Sequence, residues 1–149
     1  MQMKQVDFYL ISNKVKDARY KLASRLANKL QKMQQTCLVV TDNDTSTAEL
    51  DRVMWSFNDS SFLAHDPISE AAPISKVHIG VHNAVSQAVL EREHDVLINL
   101  SSDIPMFNHH FKRIAEIVEA DDESKSSARK RYKNYQTEGF ELKMHNIEL

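Results

Sequence analysis

Residues 6–11 (VDFYLI) are the first apolar, β-rich run of the chain and predict a buried strand. After them the period changes. Leu22, Leu26, Leu30 and Met33, with Ala23 and Ala27, recur at helical spacing and predict a helix over 17–33, with Asp17 in its N-cap region. Residues 36–41 (TCLVVT) predict a second strand, and the short polar side chains of 42–47 supply turn and cap chemistry. A second helix is expected over 46–57, where Leu50, Val53, Met54 and Phe57 share one stripe at i, i+3, i+4 and i+7. The strip 58–73 reads as loop, interrupted by Phe62 and Leu63. Further strands are expected at 77–81 and 96–100 (VLINL), while 114–118 fits either period. A charged helix over 121–137 stops at Glu138-Gly139, and 140–144 is expected as an edge strand.

Strands alternating with helices predict an α/β fold with helices on both faces of a sheet. No repeat, low-complexity segment or linker divides the 149 residues, so one domain over 1–149 is expected. With 42% hydrophobic and 27% charged residues the chain has ordinary globular composition. Its apolar runs are strand-length and no signal pattern opens it, so a cytoplasmic protein is expected. The single cysteine, Cys37, lies in an apolar run and is expected as a buried strand residue.

A sheet flanked by helices raises the question of nucleotides, and the glycines answer it. There are two, Gly80 and Gly139, and neither GxGxxG nor GxxxxGK[ST] occurs. The first strand runs instead into Ser12-Asn13-Lys14. A loop that cradles phosphate needs glycines so that backbone N–H groups can approach closely, which argues against Rossmann-type or P-loop binding. His78 and His82 are four apart in a strand-like run, His109 and His110 are adjacent, and no HExxH or CxxC is present. Structural or surface histidines are expected, with no metal and no cofactor. Serines lack a GxSxG context, and no catalytic residue is expected.

Charge changes the picture locally. The net charge is −2, yet five acids and no base lie between 116 and 123, and five bases and no acid between 125 and 133. On the last helix Lys125, Arg129, Tyr132 and Lys133 share one face, with Lys130 and Arg131 pointing elsewhere. A cationic face with an aromatic in it suits an acidic peptide with an apolar end. It equally suits a single-stranded nucleic acid stacking on Tyr132, or a solvated face balanced by the acids upstream. On the second helix the only tryptophan, Trp55, lies more than about 100° from Leu50, among polar residues, with Phe62 in the loop beyond. The two are either an interface anchor or a pair buried by the loop folding back.

At these residues the chain resembles the chi subunit of bacterial DNA polymerase III. The resemblance runs through VDFYLI, LDRVMWSFNDSSFLAH from Leu50, DVLINL from Asp95 and ARKRYKNYQTEGFEL from Ala128. The second and fourth stretches are the specific ones, through their Trp-to-Phe-to-His spacing and the basic-Tyr-Lys helix ending in Gly-Phe. The resemblance implies a three-layer α/β/α domain, mainly parallel, of mononucleotide-binding-like topology without a phosphate loop. It further implies a non-catalytic accessory subunit of a DNA-directed DNA polymerase complex, without cofactors. Such a subunit pairs with the psi subunit, which ties it to the clamp loader. It also binds the acidic C-terminal tail of single-stranded DNA-binding protein, which ends in Asp-Ile-Pro-Phe, so contact with DNA is indirect. By family correspondence Trp55 and Phe62 contact psi, and Lys125, Arg129, Tyr132 and Lys133 bind the tail. Phe140 and Leu142 become candidates for the tail pocket's apolar lining, and a repair helicase is a further candidate partner at the Trp55 surface.

Overall fold

The computed structural model describes residues 4–56, 63–92 and 94–149. Seven strands form one sheet: β1 (Gln5–Ile11), β2 (Cys37–Thr41), β3 (Asp66–Pro67), β4 (Val77–Val81), β5 (Val96–Asn99), β6 (Arg113–Val118) and β7 (Glu141–Ile147). Their order is β3-β4-β2-β5-β6-β1-β7, and every pairing is parallel. Helices α1 (Ala18–Lys32), α2 (Asp44–Ser56), α3 (Gln87–Leu90) and α4 (Asp122–Thr137) connect them. This is the expected α/β/α layering.

Parallel strands covered on both faces need apolar side chains on both, which is why β2 and β5 are buried at every position. The same cause hid β6 from periodicity. Five of its six residues are buried, so the segment lacks the alternation that marks a half-exposed strand. Leu22, Ala23, Ala27 and Leu30 of α1 and Leu50, Val53 and Met54 of α2 pack with Val39, Ile98 and Ile117 on one face. On the other, Ala128 and Tyr135 of α4 pack with Val6, Phe8, Leu97 and Ile114.

Three expectations are corrected. Met33 is 56% exposed: it follows the last residue of α1 and precedes a left-handed Gln34, so the helical projection no longer reaches it. Asp17 stands at the N-cap position, but its backbone is left-handed and its carboxylate caps nothing. It receives Arg52 Nη2 instead, at 2.8 Å, and that hydrogen bond holds the Asp17 carboxyl below its ordinary range. Within the loop-like strip, Asp66–Pro67 pairs with β4 as a short edge strand, and Asp66 Oδ2 accepts from Ile74 N, Ser75 N and Ser75 Oγ. Cys37 is buried, as expected, and burial pushes its thiol up to about 12. Phe57 and Phe62 lie outside the described residues.

The histidines sort themselves into the interior as well as the surface. His78 Nε2 donates to Ser75 O at 3.1 Å, so its Nδ1 must accept from His94 Nε2, 2.6 Å away. Burial then lowers the pKa of His78, and lowers that of His94 to about 4. An unfolded histidine titrates near about 6.5, so between that pH and about 4 the unfolded chain binds protons that the folded one does not. Stability is therefore expected to fall as pH drops from neutrality through this window. Urea titrations across the window check it, and His94→Gln should reduce the slope.

Candidate docking surfaces

Helix α4 begins where Asp121 accepts the Ser124 N–H (2.8 Å) and the Ser124 hydroxyl (2.8 Å). Asp122 and Glu123 follow in the first turn, where the helix dipole favours acids. These upstream acids thus serve the helix start. Glu116 belongs elsewhere: it is fully buried in β6.

Ala128, Arg131 and Tyr135 form the buried stripe of α4, and the opposite consequence of the same periodicity is the outer face. There Lys125, Arg129 and Tyr132 line a groove of about 330 Å³ against the sheet, together with Phe8 and Leu10 of β1, Val118 of β6 and Met144 of β7. Tyr132 is half-buried, with its ring 5.5 Å from Phe8. Phe8 in turn meets the edge of Tyr135 at 6.1 Å. Met144 is 50% exposed at the open side. The result is an apolar floor with two cations on its rim.

Not every predicted residue joins it. Lys133 is exposed next to Tyr132 but does not line the groove. Phe140, a candidate for the lining, is buried against Tyr135 instead (5.3 Å), and Leu142 also lies outside it. The lining actually comes from Phe8, Leu10, Val118 and Met144. Alternation along β1 places Phe8 and Leu10 on one face, a signal present in the sequence. The register of Phe8 beside Met144 is a tertiary fact.

A buried polar network anchors α4 beneath this groove. Arg131 Nε donates to Glu116 Oε1 at 3.0 Å, while Asn99 Nδ2 (2.9 Å) and Tyr135 Oη (2.8 Å) donate to Glu116 Oε2. Burial pushes the Glu116 carboxyl up, and the Arg131 guanidinium draws it back. Sequence reasoning placed Arg131 off the cationic face without finding its partner. The spacing Ala128–Arg131–Tyr135 carried the signal, since a charge on a core stripe requires a buried counter-charge.

The second surface is at the end of α2. Trp55 is 58% exposed, so it is not folded into the core. Its Nε1 donates to Asp51 Oδ1 at 3.2 Å, and the same oxygen is 2.6 Å from His65 Nε2. The Trp55 and His65 rings meet edge to face at 5.7 Å, and His65 Nδ1 lies 2.8 Å from Leu63 O. The indole is held in an outward pose. It stands on the α2 face of the sheet, away from the α4 groove.

Together these define an α/β/α domain of mononucleotide-binding-like topology whose built surfaces are a cation-rimmed apolar groove and a braced, exposed tryptophan. Similarity to known proteins gives the family. The model of the family described as "DNA polymerase III chi subunit, HolC" matches residues 3–143, and the chain belongs to that family. It is 30% identical over 145 residues to the DNA polymerase III subunit chi of Pseudomonas aeruginosa, covering 97% of this chain and 98% of that one. It is 29% identical over 148 residues to the corresponding subunit of Haemophilus influenzae, with the same coverage, and 26% identical over 144 residues to that of Escherichia coli. Among solved structures it is similar to T4 UvsW, with a TM-score of 0.68 at 8% identity, covering 97% of this chain and 41% of that one. At that identity the likeness shows the fold alone. Membership of the family implies a role in DNA replication as a subunit of DNA polymerase III. No helix among the described residues is long and apolar enough to cross a membrane.

Proposed function

We propose that the protein is a non-catalytic bridge within the replicative polymerase. Its α4 groove takes the acidic C-terminal tail of single-stranded DNA-binding protein, and its Trp55 surface, with Phe62, takes psi and through it the clamp loader. The observation that carries this reading is the groove itself. A tail ending in Asp-Ile-Pro-Phe combines carboxylates with an apolar terminus, and Lys125 and Arg129 stand on the rim of a floor made by Phe8, Leu10, Val118 and Met144. Lys133 lies beyond the rim and acts by steering the tail rather than by holding it. Affinity is modest and salt-sensitive, because exposed charges are screened over about 8 Å at physiological ionic strength. A strand coated by many tails then raises the effective concentration.

Calorimetry with a tail peptide tests the groove. Arg129→Ala should weaken binding about tenfold, the scale of one charge-assisted hydrogen bond. Tyr132→Ala should weaken it too, with Lys133→Ala milder. Trp55→Ala serves as the separating arm: it should leave tail affinity unchanged and remove co-purification with psi. Unchanged tail affinity in both Arg129→Ala and Tyr132→Ala would falsify the assignment.

A further inference from the structure

Neither docking surface uses α1, although α1 carries the most one-sided charge of any helix. Arg19, Lys21, Arg25, Lys29 and Lys32 are its charged residues, and it contains no acid. Arg19 is engaged, with its guanidinium 3.6 Å from Glu119 and donating to Leu100 O. Lys21, Arg25, Lys29 and Lys32 are different. At about 100° per residue they form one stripe, about 16 Å long. Arg25, Lys29 and Lys32 are exposed, and none of these three takes part in an ion pair among the described residues.

The stripe does not end at the helix. Lys29 and Met33 share a groove of about 130 Å³ with Tyr9 of β1 and Arg113 of β6. Tyr9 stands parallel to His145 of β7, its register partner, with ring centroids 4.8 Å apart at 17°. Asp7, the acid beneath them, is 2% exposed and already compensated: His145 Nε2 is 2.8 Å away and Arg113 Nε 3.5 Å. On the face of β7 that carries His145, Lys143 and Glu141 contribute one formal charge of each sign. Asp95, the acid next to Val96 of the groove, accepts from Thr36 N at 2.8 Å and Thr36 Oγ1 at 3.1 Å. The cations of the stripe outnumber it, so the α1 face of the sheet, opposite the α4 groove, carries a net positive charge.

We propose that the α1 stripe and the Tyr9 groove bind single-stranded DNA directly, the cations following the phosphates and Tyr9 offering a stacking face. Regularly spaced cations beside an aromatic are the elements of sequence-independent single-strand binding. Only unpaired bases present a free face to such a groove, which disfavours duplex. An acidic protein segment would meet the cations but would leave the Tyr9 platform without use. Placed opposite the α4 groove, the site adds a direct contact with the strand to the indirect one through its coat protein, and it stands or falls separately from that reading.

Fluorescence anisotropy with a labelled oligothymidine and the full chain tests it. Wild type should bind at low salt and weaken steeply as salt rises. The exposed substitutions Arg25→Gln, Lys29→Gln and Lys32→Gln, combined, should lower affinity at least about tenfold and reduce the logarithmic salt slope by about 2, at about 0.7 for each phosphate no longer neutralised. Tyr9→Leu should lower affinity about tenfold with the slope unchanged. Arg129→Ala should bind the oligonucleotide as wild type does. The proposal is overturned by absence of binding at low salt, by wild-type affinity in the triple variant, or by loss in Arg129→Ala instead. It is also overturned if polyglutamate displaces the oligonucleotide equally well, charge for charge, and Tyr9→Leu has no effect, because the occupant is then an acidic peptide.

Discussion

Replacing Arg131 by alanine is expected to lower folding stability by about 3–5 kcal/mol, the usual consequence of breaking one side of a buried ion pair. Glu116 has no access to solvent and would keep only the Asn99 and Tyr135 donors against its burial. The same guanidinium also ties α4 to the β5 end, because Arg131 Nη1 donates to Ser102 O at 3.0 Å, while its 2.7 Å bond to Ser127 Oγ holds it along the helix. Helix and sheet should thus loosen together, and urea denaturation monitored by circular dichroism reads the loss. Two companions separate the causes. Glu116→Gln removes the charge but keeps an amide in place and should be milder. Glu116→Leu with Arg131→Met replaces the pair by apolar groups of similar size and should recover much of the stability. If Arg131→Ala is as stable as wild type, the pair does not anchor α4.

Gly80→Ala is expected to lower folding stability by about 1–3 kcal/mol through overpacking. The glycine sits inside β4, and its backbone does not need a left-handed conformation. What it provides is room. A Cβ at position 80 would run into Ile68 Cγ1 and Cδ1. Ile68 is itself buried and its N–H donates to Ile79 O at 2.8 Å, so its branched side chain gives way by leaving its rotamer or by moving the short β3 edge with it. Adding Ile68→Ala to Gly80→Ala should relieve the clash, leaving less than the sum of the two single effects. Additive losses in a double-mutant cycle would show that the two positions do not press on one another.

Much of the layered fold was legible along the chain because strand and helix periods are properties of local backbone geometry. The runs VDFYLI, TCLVVT and VLINL became β1, β2 and β5, and the stripe Leu50–Val53–Met54 became the inner face of α2. The same geometry placed Trp55 off that stripe and gathered Lys125, Arg129 and Tyr132 on one side of α4, as the structure finds. The chi-family motifs were also plain in the residues.

What local periods could not supply was pairing between segments distant in sequence. The groove floor depends on β7 returning beside β1 so that Met144 faces Phe8, and nothing in either strand states that register. Glu116 counts among the five acids of 116–123, and only the sheet buries it opposite Arg131. His78 and His94 became partners only when β4 and the turn before β5 met. The cations of α1 acquire meaning in the same way. Their spacing belongs to the sequence, but the absence of an ion pair at Arg25, Lys29 and Lys32 among the described residues and the nearness of Lys29 to Tyr9 and Arg113 are set by the neighbouring elements. Sequence determined which side of each element is apolar, because that follows from backbone period. Tertiary structure decided which charges are buried, paired or left over, because that depends on what the chain brings opposite them.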